Sequence, residues 1–328
     1  MNVKYKFLII ISLLIICFLL DIFSGSVFIH PHEWWSLLSG NDTESTIFPL
    51  FIYRLHKAET ALLVGASLSL SGLFMQSVFK NPIVGPYVLG TSSAASLSVA
   101  IIILGSAITG FNIPEISLVT AAIIGSTFSL IVIIILYYRL KTPLNLLITG
   151  LMFGIFAGAL INILSYFTQA QNLQQFVFWS MGNLGNQASS HLIIMTLILL
   201  ISFVSSLFLV KNLNALLLGE NYAKSMGINV YYTNMFLLTI SGILVGIVTA
   251  YAGPIAFVGL AVPHIVRLFF NTYLHQILIP ASLITGGILM LFCDMIAQVP
   301  GSSLSLPINS VTAIFGAPLV VYLIFKRK

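Results

Sequence analysis

The stretch LNALLLGENYAKSMGINV, Leu213 to Val230, is polar and helix-sized, and it carries an acid and a base four residues apart, Glu220 and Lys224. On both sides the chain is apolar for about the length of a membrane-crossing helix. Only 6% of the residues are charged, so a polar segment held between two such runs reads as a surface element on one side of a membrane. What does it serve there?

The rest of the chain has the composition of lipid-embedded protein. Its 328 residues are 59% hydrophobic, whereas a water-soluble domain is about 25% charged. A hydrocarbon core of roughly 30 Å takes about 20 apolar residues per helix. Windows of that kind centre on Phe7–Ile22, Ala61–Phe79, Leu89–Leu104, Ile116–Tyr137, Leu144–Tyr166, Leu192–Val210, Tyr232–Ala250, Ile255–Phe270, Ile277–Ala297 and Ile308–Phe325. The expected fold class is an all-α polytopic membrane protein of about ten transmembrane helices, built as one integral domain over residues 1–328. The third and eighth windows are among the shortest, which fits a helix that is broken or enclosed within the bundle. The first is read as a retained helix, because no small-x-small pattern follows Leu20. Cys17 and Cys293 fall inside spans, where they pack as small hydrophobes.

Basic residues orient the chain, since Lys and Arg of short loops stay on the cytoplasmic side. With both termini cytoplasmic, Lys4, Lys6, Lys80, Arg139, Lys141, Lys211, Lys224, Arg267 and Lys326 to Lys328 lie inside, and of the 13 basic residues only Arg54 and Lys57 lie outside. Glu33, Asp42, Glu44, Glu59 and Glu115 fall in external segments. The net charge of +5 is then a consequence of topology and implies no nucleic-acid partner.

No HExxH and no GxxxxGK[ST] is present, so the chain offers neither that metal-ligand spacing nor a nucleotide cradle. His30 and His32 in IHPHEWW read as caps of an interfacial helix with Trp34 and Trp35 in the headgroup belt. A carrier driven by ions usually holds an ionisable group at mid-membrane; Asp294 is the one candidate, near the outer end of its span. An ion-coupled carrier, or an enzyme pairing Asp294 with a histidine, would rest on that acid alone. Energy entering through a partner is the other route. In the opening segment, Asn214 can cap a short helix ended by Gly219, and Glu220 to Met226 can form a second ended by Gly227. Glu220 and Lys224 pair at i,i+4, while Tyr222, Ala223 and Met226 form an apolar patch. Such a patch fits either a groove on a soluble partner or a lipid surface.

The order of motifs resembles one family, the FecCD-type permeases of bacterial ABC importers for iron-siderophores, haem and vitamin B12. The resemblance is carried by YRLHKAETALLVGASLSLSGLFMQSVFKNPIVGPYVLGTSSAASL from Tyr53, WSMGNLG from Trp179, the Leu213 segment, YAGPIAFVGLAVPHIVRLF from Tyr251 and LPINSVTAIFGAPLVVYLI from Leu306. It implies the type II ABC importer permease architecture: a homodimer in the bacterial inner membrane, two cytoplasmic ATPase subunits below, and a periplasmic or lipid-anchored binding protein above. The cargo would be a metal chelate, most often an iron-siderophore. ATP and Mg would belong to the ATPases, leaving this subunit without catalytic residues, metal or cofactor of its own.

Roles carry over residue by residue. The resemblance makes residues 213–227 the coupling helices, with Leu217, Gly219, Glu220, Tyr222, Ala223, Met226 and Gly227 meeting the ATPase. It places a cytoplasmic gate at Asn81 and Ile83, with Pro143 and Leu144 opposite, and assigns binding-protein docking to Arg54 and Lys57. Three departures stand out: His56 where the family has Pro, Gln298 where Arg usually follows Asp by four residues, and Asn309 where Gly is common. Ser67, Ser69 and Ser71, with Gly65 and Gly72, are expected to serve close helix packing.

Overall fold

Each of the ten apolar windows lies within or largely within a helix. The computed structural model describes residues 2–25, 47–109, 115–140, 143–185, 187–299 and 305–325. The readings placed on His30, His32, Glu33, Trp34, Trp35, Asp42, Glu44, Lys141 and Lys326 to Lys328 lie outside them. Among the described residues the α-helices are α1 (Val3–Phe23), α2 (Ile47–Val78), α3 (Thr91–Thr109), α4 (Glu115–Leu140), α5 (Pro143–Phe167), α6 (Ala170–Ser180), α7 (Ser189–Phe208), α8 (Val210–Leu217), α9 (Glu220–Ser225), α10 (Val230–Ala252), α11 (Val258–Phe270), α12 (His275–Ala297) and α13 (Ile308–Phe325). Seven are long and apolar enough to cross a membrane, and apolar stretches of α3, α11 and α13 are shorter. The third and eighth windows are thus among the reduced ones and the tenth joins them, whereas the first, whose window is equally short, is a helix of 21 residues.

Helix α2 is the axis of the fold. It packs on α12, α10, α11, α7 and α1, and 89% of its apolar window is buried, against 22% for α1 and 17% for α5. Exposed Leu8, Ile15, Ile155 and Phe156 form an outward apolar surface on those flanking helices, as lipid requires. Two glycine contacts let α2 approach its neighbours. A Cβ at Gly65 would overlap the carbonyl of Gly286 on α12, and one at Gly72 would overlap the carbonyl of Gly259 on α11. The serines between them complete the seam: Ser69 Oγ donates to Ser282 O at 2.8 Å and Ser71 Oγ to Ser241 O at 3.2 Å. Small residues here serve backbone proximity and interhelical hydrogen bonding.

The shortened helices α3 and α11 each follow a Gly-Pro break. After Gly85-Pro86 the chain makes a 3-10 turn, Pro86–Leu89, before α3; after Gly253-Pro254 an irregular stretch leads into α11. The breaks meet, with Ile255 N donating to Tyr87 Oη at 2.9 Å. Asn309 Oδ1 accepts from Ala256 N at 3.0 Å, so the side chain that replaces the family's Gly ties α13 to the second break. Irregular backbone at membrane depth is tolerated because protein groups satisfy it. Helix α6 occupies part of the segment between the fifth and sixth windows, and Asn172 Nδ2 donates to the Ile103 carbonyl of α3 at 3.0 Å.

Candidate coupling elbow, gate loop and outer network

Helix α8 follows α7 after the single residue Leu209, so it starts at Val210 rather than at Asn214. Asn214 is therefore not its cap. It sits within α8, and its Oδ1 accepts from His275 N at 2.9 Å, capping α12 instead. Gly219 at φ +112° and Gly227 at φ +79° end α8 and α9. A Cβ at either would meet nothing within 4 Å, so backbone conformation, not space, calls for glycine there. Ala215, Leu216, Ala223 and Val230 form a small core that fixes the angle between the helices.

The elbow divides the expected coupling residues. Leu217, Tyr222 and Met226 are 47%, 49% and 58% exposed, whereas Ala223 is fully buried. Ala223 thus holds the elbow together and the apolar surface comes from the other three, joined by Leu218. Glu220 also departs from expectation: its Oε1 lies 2.9 Å from Lys80 Nζ at the end of α2, and its ion pair is with Lys80 instead of Lys224. Tyr137 stacks on Tyr231 with ring centroids 5.2 Å apart, and Lys6 Nζ donates to Phe269 O at 2.7 Å. Lys80 and Arg267 line the cavity beside the elbow, together with Leu213, Leu216 and Leu217.

The loop expected to form the gate begins at Lys80, whose φ of +49° ends the path of α2. Pro82 and Pro86 keep the following residues out of a helix, and Asn81 Oδ1 accepts from Ile83 N at 3.0 Å. Asn81 is exposed and Ile83 is 49% exposed, an apolar side chain offered outward from a loop. Helix α5, which begins at Pro143, packs on the adjoining 3-10 turn, and Leu144 at its start is exposed.

At the opposite end lies a network that sequence reasoning saw only in part. The chain from Ile47 to Thr60, in which Arg54, Lys57 and Glu59 were expected outside, is the first part of α2, so Arg54 and Lys57 project from a helix. Arg54 is 5% exposed, and its Nη1 donates to the C-terminal carbonyls of α1, Ile22 at 3.4 Å and Phe23 at 3.5 Å. Lys57 Nζ is 3.0 Å from Asp294 Oδ1 on α12. Gln298 Nε2 donates to Asp294 Oδ2 at 2.8 Å and to Asp21 Oδ1 at 3.2 Å. One amide thus bridges acids from α1 and α12, while Lys57 supplies the cation that an Arg at 298 would have brought. Docking through Arg54 or Lys57 requires the side chain to leave these partners. Asp21 was missed; its signal was an acid within an apolar span, which demands a polar partner.

A bundle of apolar helices with broken short spans and an elbow at one end has the architecture of the type II ABC importer permease fold. The chain belongs to the FecCD transport family, whose model matches residues 13–326. It is 33% identical to the vitamin B12 import system permease protein BtuC of Photorhabdus laumondii subsp. laumondii, over 98% of this chain and 93% of that one. It is likewise 33% identical to BtuC of Salmonella typhimurium (strain LT2), over 98% and 95%. A solved structure described as an inward-facing conformation of a metal-chelate type ABC transporter superposes with a TM-score of 0.84 at 28% identity, covering 99% of this chain and all of that one.

Proposed function

We propose that this chain is the permease half of an ATP-driven importer that carries a metal chelate across the bacterial inner membrane, working as a homodimer with two cytoplasmic ATPases and an external binding protein. The observation that carries this reading is the elbow: Leu217, Tyr222 and Met226 stand exposed on a small rigid core at the end of the bundle that also bears the gate loop. A rigid apolar knob of this size suits a groove on a soluble protein. On this reading ATP and Mg reside on the ATPases, and the permease converts their closure into opening of one end or the other by differential contacts in the two states. Asn81 and Ile83 form the cytoplasmic gate, and Arg54 and Lys57 meet acidic groups of the binding protein.

Within the chelates, an iron-siderophore is the first cargo to test. A cobalt corrinoid is the second, favoured by the names of the BtuC relatives. Reconstitution of the chain with its ATPase and binding protein in liposomes separates them: ATP-dependent accumulation of a labelled ferric siderophore, uncompeted by corrinoid, supports the first, and the reverse supports the second. Uptake that follows a proton or sodium gradient without ATP would overturn the importer reading.

A further inference from the structure

Two polar bridges tie the elbow to the end of α2 that carries the gate loop. The first is the ion pair Lys80–Glu220 at 2.9 Å, at the surface. The second is buried and runs through His275, which is 1% exposed. Asn214 Oδ1 on α8 accepts from His275 N at 2.9 Å and lies 3.1 Å from His275 Nδ1. His275 Nε2 lies 3.0 Å from Ser77 Oγ on α2. An amide oxygen already accepting a backbone N–H can meet Nδ1 only if that nitrogen carries a proton, so Nε2 accepts from the Ser77 hydroxyl, whose one proton then points to the imidazole and away from the Leu73 carbonyl 2.9 Å off. One imidazole therefore joins the elbow to α2, three residues before Lys80. Next to it, Gln76 accepts from Arg267 Nη1 and donates to Leu260 O at 3.1 Å, tying α2 to α11. A cavity of about 450 Å³ opens between the elbow, the Asn81 loop and these ties, so the space between them is not filled by packed side chains.

Apolar contacts at such a joint would permit sliding, whereas directional hydrogen bonds and an ion pair hold one register. Helix α2 ends at Val78 and Lys80 turns the chain directly into Asn81, so displacement of the helix end displaces the loop that follows it. We propose that the chain Asn214–His275–Ser77, with the strap Lys80–Glu220, is the linkage by which movement of the elbow shifts the gate loop, making Asn214, His275, Ser77 and Lys80 positioning residues for transport. This rests on the elbow and gate reading given under Proposed function.

The test uses the complete reconstituted complex and three readouts: ATPase retained on purification, ATP hydrolysed, and chelate delivered per ATP. Ser77→Ala is expected to retain the ATPase and its hydrolysis but to lower delivery per ATP roughly fivefold or more, as for coupling terms in general. Ser77→Thr, which keeps the hydroxyl, restores it, as does Asn214→Asp relative to Asn214→Leu. Lys80→Glu lowers delivery and Lys80→Arg, which keeps the pair with Glu220, does not; these surface variants decide the matter if the buried ones fail to assemble. Unchanged delivery per ATP in both Ser77→Ala and Lys80→Glu overturns the linkage. An unsubstituted complex without ATP-driven uptake overturns instead the permease reading on which the linkage rests.

Discussion

Lys57 Nζ stands 3.0 Å from Asp294 Oδ1, an ion pair between α2 and α12 whose side chains are 14% and 2% exposed. Removing one member of such a pair leaves an uncompensated charge, which costs about 3 kcal/mol or more, while replacing both with apolar groups of similar volume is far milder. Asp294→Ala is therefore expected to lower the melting temperature of the detergent-solubilised protein clearly. Lys57→Met with Asp294→Leu should lie nearer the unsubstituted protein, and a double variant as unstable as the single one would contradict the pairing.

Docking and network predict different salt dependence for the same two cations. Charge reversal at Arg54 and Lys57 destabilises the outer network at any ionic strength. The docking proposal adds slower association with the binding protein, strongest at low salt and fading as salt screens the repulsion. Kinetics of binding-protein capture across a salt series read this directly. Lost stability with unaltered association would assign both residues to the network alone.

The buried and exposed halves of the elbow should respond differently to one substitution. Tyr222→Arg places a guanidinium on a side chain already 49% exposed, and is expected to leave the permease folded but unable to retain its ATPase. Ala223→Arg forces the same group into a fully buried position among Ala215, Leu216 and Val230. It should lose thermal stability as well, by a few kcal/mol. Equal melting temperatures for the two variants would contradict the assigned core.

Cysteine at Asn81 in each protomer tests the gate. Disulfide or short-linker yield across the dimer axis is expected to rise in the nucleotide state that closes this end and to fall in the other. A yield independent of nucleotide removes Asn81 from the gate, because a gating residue must differ between states.

Glycine at position 72 is required by contact, and glycine at 105 is not. A Cβ at Gly72 lands on the Gly259 carbonyl, whereas one at Gly105 meets nothing within 4 Å. Gly72→Ala is expected to cost about 1–3 kcal/mol through forced separation of α2 and α11. Gly105→Ala should be neutral or slightly stabilising through helix propensity. Thermal unfolding of the two variants in the same detergent checks both.

What the amino-acid sequence determined by itself was whatever depends on neighbours along the chain. Window length and hydropathy set the spans, because crossing a bilayer is a local requirement for about 20 apolar residues. Gly219 and Gly227 marked helix ends, because a left-handed backbone is a property of one residue. Gly65, Gly72 and their serines announced close packing but not which helices they meet. Only the tertiary structure decided the partners. Glu220 had Lys224 within reach at helical spacing yet pairs with Lys80, 140 residues away. Asn214 looked like a cap for its own helix and caps α12, and Ala223 shared a face with Tyr222 and Met226 until α8 folded over it. Asp21, Lys57, Asp294 and Gln298 come from three helices. Each satisfies simple local patterns in several ways, and it is the cost of burying an unpaired polar group that selects one arrangement once the helices pack.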